Sequence, residues 1–424
     1  MTSNASATPA HSNAAADQNY TPALVVLTSL FFMWGLITSL NDILIPHLKA
    51  IFTLSYVQAT LIQSAFFGAY LVMSVPSGYL VEHLGYRRGI IIGLTTAGVG
   101  CAGFFPAASL QSYPLFLAAL FVLASGITLL QVAANPYVSI LGRPETAASR
   151  LNLTQAFNSL GTVVGPYLGS ALILTGVTAG AVDVATEVKT VQGPYLGLAA
   201  ILLVIAGVFS QFKLPVIKGT EATAAAEENG AAPVPSVWHH SHLILGVVAI
   251  FVYVGAEVAI GSFLVNFMSQ PEIGGLSERV AGQYYVPVYW FGAMVGRFIG
   301  SYVLRRIKPG WVLAFNAFCA IVLLVTAMSV GGKTAMYSVL AIGLFNSIMF
   351  PTIFTLAIHK LGRHTGEGSG LLCMAIVGGA IVPVVQGYFA DNMGLLPSFF
   401  VPAICYAYIV YYGLKGHEVR QDTA

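Results

Sequence analysis

Three charged side chains, Asp42, Glu257 and Arg297, fall inside stretches of sequence that are otherwise nearly free of charge. An ionised group at the centre of a bilayer costs about 2.5–3.5 kcal/mol on insertion scales, so residues of this kind are candidates for function by default. Glu257, in "YVGAEVAIGSF", is the most stranded acid and must be protonated, paired or in contact with water. Asp42 precedes "ILIPHLK" and lies either within the first apolar run or, if that run ends early, near its outer edge. Arg297 stands one to two turns from a basic loop, where it can snorkel, serve a gate or touch a solute. Burial makes a carboxyl hold its proton more tightly, so an acid exposed alternately to two aqueous phases can couple a solute to an ion. Asp42 and Glu257 are the candidates for that task.

Neutral polar residues line up with these charges at helical spacing. Trp34, Thr38, Asn41, Asp42 and Ile45 share one face; Thr128, Gln131 and Asn135 share another, with Pro136 freeing a backbone carbonyl. Asn152, Gln155, Asn158, Ser159 and Thr162 follow, and Tyr253, Tyr285, Tyr289, Asn346, Ser347 and Thr355 add polar groups later in the chain. A single amide in a membrane helix is commonly interhelical glue, but amides concentrated on three helices point to a cavity. Amides pair with sugar hydroxyls, and Tyr or Trp covers the C–H face of the ring. The expected binding set is Asn41, Asp42, Gln131, Asn135, Gln155, Asn158, Tyr253 and Glu257, and its scarcity of fixed charge argues against a strongly ionic substrate.

The elements that hold these residues follow from composition. Of 424 residues 57% are hydrophobic and 8% charged, with mean hydropathy +0.80, whereas a soluble domain carries about a quarter charged residues. A helix crosses a hydrocarbon core of roughly 30 Å with about 20 apolar residues. Twelve such runs fall near 22–47, 55–82, 89–108, 114–141, 150–174, 193–212, 243–267, 282–304, 310–330, 336–360, 368–389 and 395–414. The expected fold is an all-α membrane protein with both termini on one side. Arg87, Arg88, Arg143, Arg150, Lys213, Lys218, Arg305, Arg306, Lys308, Lys360, Arg363, Lys415 and Arg420 fall on that side, against Lys49, Lys189, Arg279 and Lys333 on the other. The positive-inside rule therefore puts both termini in the cytoplasm. No Lys or Arg precedes Lys49, so the first run reads as a retained helix, after a disordered tail at 1–20.

A polar stretch within Lys213–His242 separates six runs from six and reads as a cytoplasmic linker at 214–242. It joins a half at 21–213 to a half at 243–414, with a cytoplasmic tail at 415–424. The halves echo each other at an offset near 217 residues: Pro166 and Gly169 find Pro383 and Gly387, Pro136 finds Pro351, and Gly78 ahead of Arg87-Arg88 finds Gly296 ahead of Arg305-Arg306. Such duplication is a transporter architecture with its site between the repeats. "GYLVEHLGYRRG" resembles the major facilitator signature G-x-L-x-D-x-x-G-R-[RK], which implies a cytoplasmic gate built on Gly78, Glu82, Gly85, Arg87 and Arg88, to which Arg297 is added from the second half.

Trp238-His239-His240-Ser241-His242 meets the membrane interface without accompanying acids or cysteines and reads as a solvated anchor, not a metal site. The four cysteines lie in apolar runs and read as packing residues. No nucleotide-binding or hydrolase motif is present, so no enzyme activity, cofactor or metal is expected, and a net charge of +2 gives no nucleic-acid footprint.

Longer segments are similar to one branch of the major facilitator superfamily, the bacterial fucose–galactose–glucose–proton symporters. They are "LNDILIPHLKAIFTLSYVQATLIQSAFFGAYL", "AANPYVSILG", "RLNLTQAFNSLG", "YVGAE", "GRF", "PTIFTLAI" and "GGAIV". The resemblance implies a monomeric, proton-coupled monosaccharide importer working by alternating access in a bacterial inner membrane. It also implies that Asp42 matches a first-helix acid of the L-fucose member, whose second acid, on the fourth helix, is here Gln131. Gln131 can bind a hydroxyl but cannot titrate, so Glu257 becomes the second coupling candidate and L-fucose a less fitting substrate than another hexose. Sodium coupling, or export of another small solute, are the alternatives in the same fold.

Overall fold

The computed structural model describes residues 20–51, 56–172, 192–211 and 236–419, with side chains in these ranges except at 40–51, 56–60, 63 and 169–172. All of the expected tail at 1–20 but Tyr20, and most of the linker at 214–242, lie outside the described residues.

Runs of apolar residues punctuated by Gly, Pro and basic turns form helices, and no strand occurs among the described residues. The first half holds α1 (Thr21–Ile51), α2 (Tyr56–Leu84), α3 (Tyr86–Ser109), α4 (Tyr113–Ile140), α5 (Ala147–Leu172) and α6 (Gln192–Gln211). The second holds α7 (Ser241–Ser269), α8 (Val286–Val303), α9 (Pro309–Val330), α10 (Gly332–Asn346), α11 (Met349–Ala357), α12 (Thr365–Met374), α13 (Gly378–Met393) and α14 (Phe400–Tyr411). The backbone of α1 stays helical past Asp42 to Ile51. Ahead of α7, Trp238 is exposed as an anchor would be, but His242 is buried with Nε2 2.9 Å from the His359 carbonyl. That part of the histidine cluster packs inward instead of facing water.

Ten helical stretches among the described residues are long and apolar enough to cross a membrane. The expected spans outside that set are α5 and α8, the former rich in amides and hydroxyls and the latter carrying Arg297. These two polar helices pack against each other, so Asn152 and Ser159 of α5 and Arg297 of α8 meet across the halves and not in lipid.

The duplication read from sequence appears as repeated packing. In the first half α1 packs on α5, α2 on α4, and α3 on α4 and α6; in the second α7 packs on α13, α8 on α10, and α9 on α10 and α14. The halves meet through α2 with α12 and α5 with α8, and also α4 with α12 and α5 with α11.

Two expected single spans are broken. The run at 336–360 divides into α10 and α11 because Pro351 has no N–H for the carbonyl of Ser347, and the run at 368–389 contains the 3-10 turn Ala375–Val377. Hydrocarbon offers a freed carbonyl no partner, so another helix must supply one. Arg297 Nε donates to the Ser347 carbonyl (3.1 Å). Pro136, the counterpart of Pro351, frees the Val132 carbonyl, which accepts from Ser369 Oγ of the other half (2.9 Å). Pro166 frees the Thr162 carbonyl, which accepts from Ser39 Oγ on α1 (3.1 Å). Each of these prolines thus creates a docking point for a neighbouring helix.

Where α2 meets α12 the contact is backbone on backbone. A Cβ at Gly78 would stand 2.9 Å from the Gly366 carbonyl oxygen, and one at Gly370 2.7 Å from that of Ser74. The chain then reverses from α2 into α3 at Gly85, whose φ of +80° favours glycine.

The Pro136–Ser369 relation is testable by a double-mutant cycle. Ser369→Ala orphans the Val132 carbonyl and should lower stability by about 1 kcal/mol. Pro136→Ala restores the intrahelical donor, so the Ser369→Ala loss should largely vanish in that background. Equal losses in both backgrounds, measured by thermal unfolding of purified protein, would show that the hydroxyl is not serving that carbonyl.

Candidate functional site

The polar face of α4 is buried. Gln131 Nε2 donates to the Tyr70 hydroxyl of α2, while Asn135 has neither its amide nitrogen nor its oxygen partnered. On α5 the polar residues point in several directions. Asn152 Nδ2 donates to the Arg297 carbonyl (2.8 Å), and Asn158 Nδ2 to the Phe31 carbonyl of α1 (2.9 Å). Gln155 is buried with Nε2 unpartnered, as is Asn152 Oδ1. A buried polar group left without a partner costs about 1–3 kcal/mol, a cost that water or another polar group would offset at the Asn135 amide and at Gln155 Nε2. Asn41 and Asp42 lie on the α1 backbone, but their side chains are outside the described residues.

The second half holds a connected network. Tyr253 OH donates to Glu257 Oε1 (2.8 Å) and lies 3.2 Å from the Asn346 carbonyl oxygen at the broken end of α10. Asn346 Nδ2 donates to Tyr289 OH (2.8 Å), and Asn346 Oδ1 accepts from Tyr406 OH (2.7 Å). Tyr253, Tyr289, Tyr406 and Asn346 are buried, and Glu257 is half-buried among them. Helices α7, α8, α10 and α14 are thereby tied around one carboxyl, with the Arg297 guanidinium in electrostatic reach.

Arg297 is also the link to the first half. Its Nη1 donates to Ser159 Oγ of α5 while Nε holds the Ser347 carbonyl. One planar cation thus joins α8, the break between α10 and α11, and the other half. Nearby, Ser149 Oγ donates to the Ser301 carbonyl across the same contact. All these crossings lie toward the basic loops, and that end is closed.

The loop motif sits at this closed end. Glu82 is half-buried with Glu367, His364, His83 and Arg363 as charged neighbours, and a Cβ at Gly366 would lie 3.3 Å from the Glu82 nitrogen. His364 Nδ1 stands 3.4 Å from Glu367 Oε2. Arg87 Nη2 donates to the Ser210 carbonyl in the last turn of α6, a favourable place for a cation. That bond stays within the first half, and Arg88 is exposed.

This arrangement of paired six-helix repeats has known counterparts. The sequence profile of the Major Facilitator Superfamily matches residues 26–382. The chain belongs to the major facilitator superfamily. Among the relatives of this facilitator, the "Glucose/galactose transporter" of Brucella abortus is 57% identical over 410 residues, covering 97% of this chain and 98% of that one. The "L-fucose-proton symporter" of Escherichia coli is 36% identical over 430 residues, covering 97% and 96%. A crystal structure of the facilitator FucP "in the outward conformation" superposes with TM-score 0.84 at 34% identity, covering 94% of this chain and 99% of that one. This facilitator is therefore a multi-pass membrane protein of twelve spans, with its repeats arranged as the duplication implied.

Sequence reasoning missed Tyr70, Tyr406 and Ser369. Tyr406 sits in "AICYAYIVYY", where four tyrosines compete and spacing does not single one out. Ser369 could have been found by asking which hydroxyl answers the carbonyl that Pro136 frees.

The network around Glu257 predicts unequal mutational costs. Asn346→Ala strands two tyrosine hydroxyls and should destabilise this facilitator by roughly 2–4 kcal/mol, against about 1 kcal/mol for Tyr406→Phe. Similar shifts in unfolding temperature for the two variants would mean that water already serves these hydroxyls.

Proposed function

We propose that the chain is a secondary active monosaccharide importer, coupled to protons and working by alternating access between the two halves. The observation that carries this reading is the set of buried groups without partners on α4 and α5, the whole Asn135 amide and Gln155 Nε2, in a chain whose other half holds a carboxyl, Glu257, in a tyrosine network. Paired donors and acceptors without fixed charge suit hexose hydroxyls, and a protonatable acid on the facing half suits coupling. The names of the relatives point to glucose or galactose ahead of L-fucose, and Gln131 in place of a fourth-helix acid agrees with that order.

The remaining parts of the proposal are its setting and its state. The basic loops face the cytoplasm of a bacterial inner membrane, and the working unit is a monomer. Asp42 is the first coupling acid through the family resemblance, and Glu257 the second.

Transport in vesicles separates these roles. An imposed gradient, acid on the periplasmic side, should drive glucose or galactose accumulation, and Asp42→Asn should abolish it while sparing exchange, since an amide mimics the protonated acid. Glu257→Gln should reduce accumulation if the task is shared. Gln155→Ala should weaken sugar affinity about fivefold to tenfold by removing one polar partner. Accumulation that follows sodium and ignores pH would defeat the proton assignment; undiminished accumulation by Asp42→Asn would remove Asp42 from it.

A further inference from the structure

Helices α8 and α9 diverge from the basic turn that joins them and leave a lateral groove of about 540 Å³. Ile299, Val303, Ile307, Trp311, Phe315 and Leu344 line it. Four of these, Ile299, Ile307, Trp311 and Phe315, are at least half exposed, so the groove opens outward from the bundle. From Val303 to Gly296 it follows α8 for seven residues, roughly 10 Å of helix. On a membrane-spanning pair of helices that opening faces lipid.

The mouth of the groove is cationic. Ile307 lies between Arg306 and Lys308, all three exposed, with Trp311 one turn further on. No Asp or Glu occurs anywhere from Val286 to Val330, so neither helix supplies a counter-charge. Arg305 turns back to Ser149 Oγ (3.3 Å), whereas Arg306 rests on the Tyr302 ring at 4.7 Å and, like Lys308, has no anionic partner among the described residues. An apolar slot two turns deep, a tryptophan at its rim and two unmatched cations at its mouth match the parts of one phospholipid.

We propose that this groove is a specific site for an anionic phospholipid, whose acyl chain lies along α8 and α9 and whose phosphate meets Arg306 and Lys308. Gly296, Gly300 and Ser347 form its inner wall, and the same stretch contacts Asn152 and carries Arg297. The bound chain therefore braces α8 against the break after α10, beside the contacts that close the basic end. This assignment is independent of the solute carried.

Native mass spectrometry of the purified full chain, titrated with phosphatidylglycerol or phosphatidylcholine, tests it. Phosphatidylglycerol should be retained preferentially. Arg306→Gln with Lys308→Gln should weaken its retention about 25-fold, at about fivefold per charge. Ile299→Trp, which fills the groove, should reduce retention of phosphatidylglycerol strongly, whereas Phe318→Trp, on the exposed face outside the groove, should not. Retention unchanged in the charge variant or in Ile299→Trp would overturn the proposal. So would displacement by soluble glycerol phosphate, which would make it a phosphate site, or a dimer lost in Ile299→Trp, which would assign the groove to a second copy.

Discussion

A chain solvated by hydrocarbon must satisfy every backbone polar group from within, and prolines break that rule at chosen places. Pro136, Pro166 and Pro351 each leave one carbonyl without its intrahelical donor, and Ser369, Ser39 and Arg297 come from neighbouring helices to meet Val132, Thr162 and Ser347. The carbonyls that would be liabilities in an isolated helix become the points at which helices are registered to one another. Two of them occupy equivalent positions in the repeat, but their donors differ. Ser369 reaches Val132 across the halves, while Arg297 serves Ser347 within its own half and crosses with a second nitrogen to Ser159. One duplicated defect thus supports two different contacts, and both lie where the halves must part for a site to change sides.

The halves also differ in how their polar groups are used. Asn135 and Gln155 remain unpartnered, whereas Tyr253, Tyr289, Tyr406 and Asn346 are bound to one another around Glu257. A fully partnered network is rigid and holds its carboxyl in one place; partnerless amides have free capacity and a reason to bind. Free hydrogen-bonding capacity is thus found on α4 and α5, and a connected network around a carboxyl on α7, α8, α10 and α14. Arg297 touches both systems, because it reaches Ser159 on α5 and lies within the field of Glu257. A change in the charge of Glu257 would therefore be felt at the contact between α5 and α8.

Much of this was legible in the sequence because lipid imposes a simple rule on span length and the duplication repeats its punctuation. The helices, the pairing of Pro136 with Pro351 and of Gly78 with Gly296, and the isolation of Glu257 and Arg297 were all readable from residue type and spacing. Partners were not. Which hydroxyl meets a freed carbonyl depends on the rotation of one helix about another, so Ser369, Tyr70 and Tyr406 looked like any other polar residue in an apolar run. Asn158 illustrates the limit: its spacing puts it with Gln155, yet its amide donates to Phe31 on α1. His242 illustrates it too, since the aqueous linker before it suggested exposure and tertiary packing buried it.

The closed end has to hold and also release, and its chemistry suits that demand. Its contacts are backbone against backbone at Gly78 with Gly366 and Gly370, together with hydrogen bonds to carbonyls from Ser369, Ser149 and Asn152. Such bonds contribute about 0.6 kcal/mol each within membranes, so a handful gives a bias of a few kcal/mol, the range in which two conformations stay in exchange. The charges at that end temper it further. Glu82 of one half faces Glu367 of the other, and Glu367 is matched chiefly by His364, whose charge depends on its proton. Glu82 also lies in the field of Arg363, a fixed cation of the other half, so attraction by Arg363 and repulsion by Glu367 act on the same contact and partly cancel. Tight glycine packing, one guanidinium bond from Arg297 to Ser159 and partly cancelling charges around Glu82 therefore hold this end by many small contributions and not by a single ionic lock.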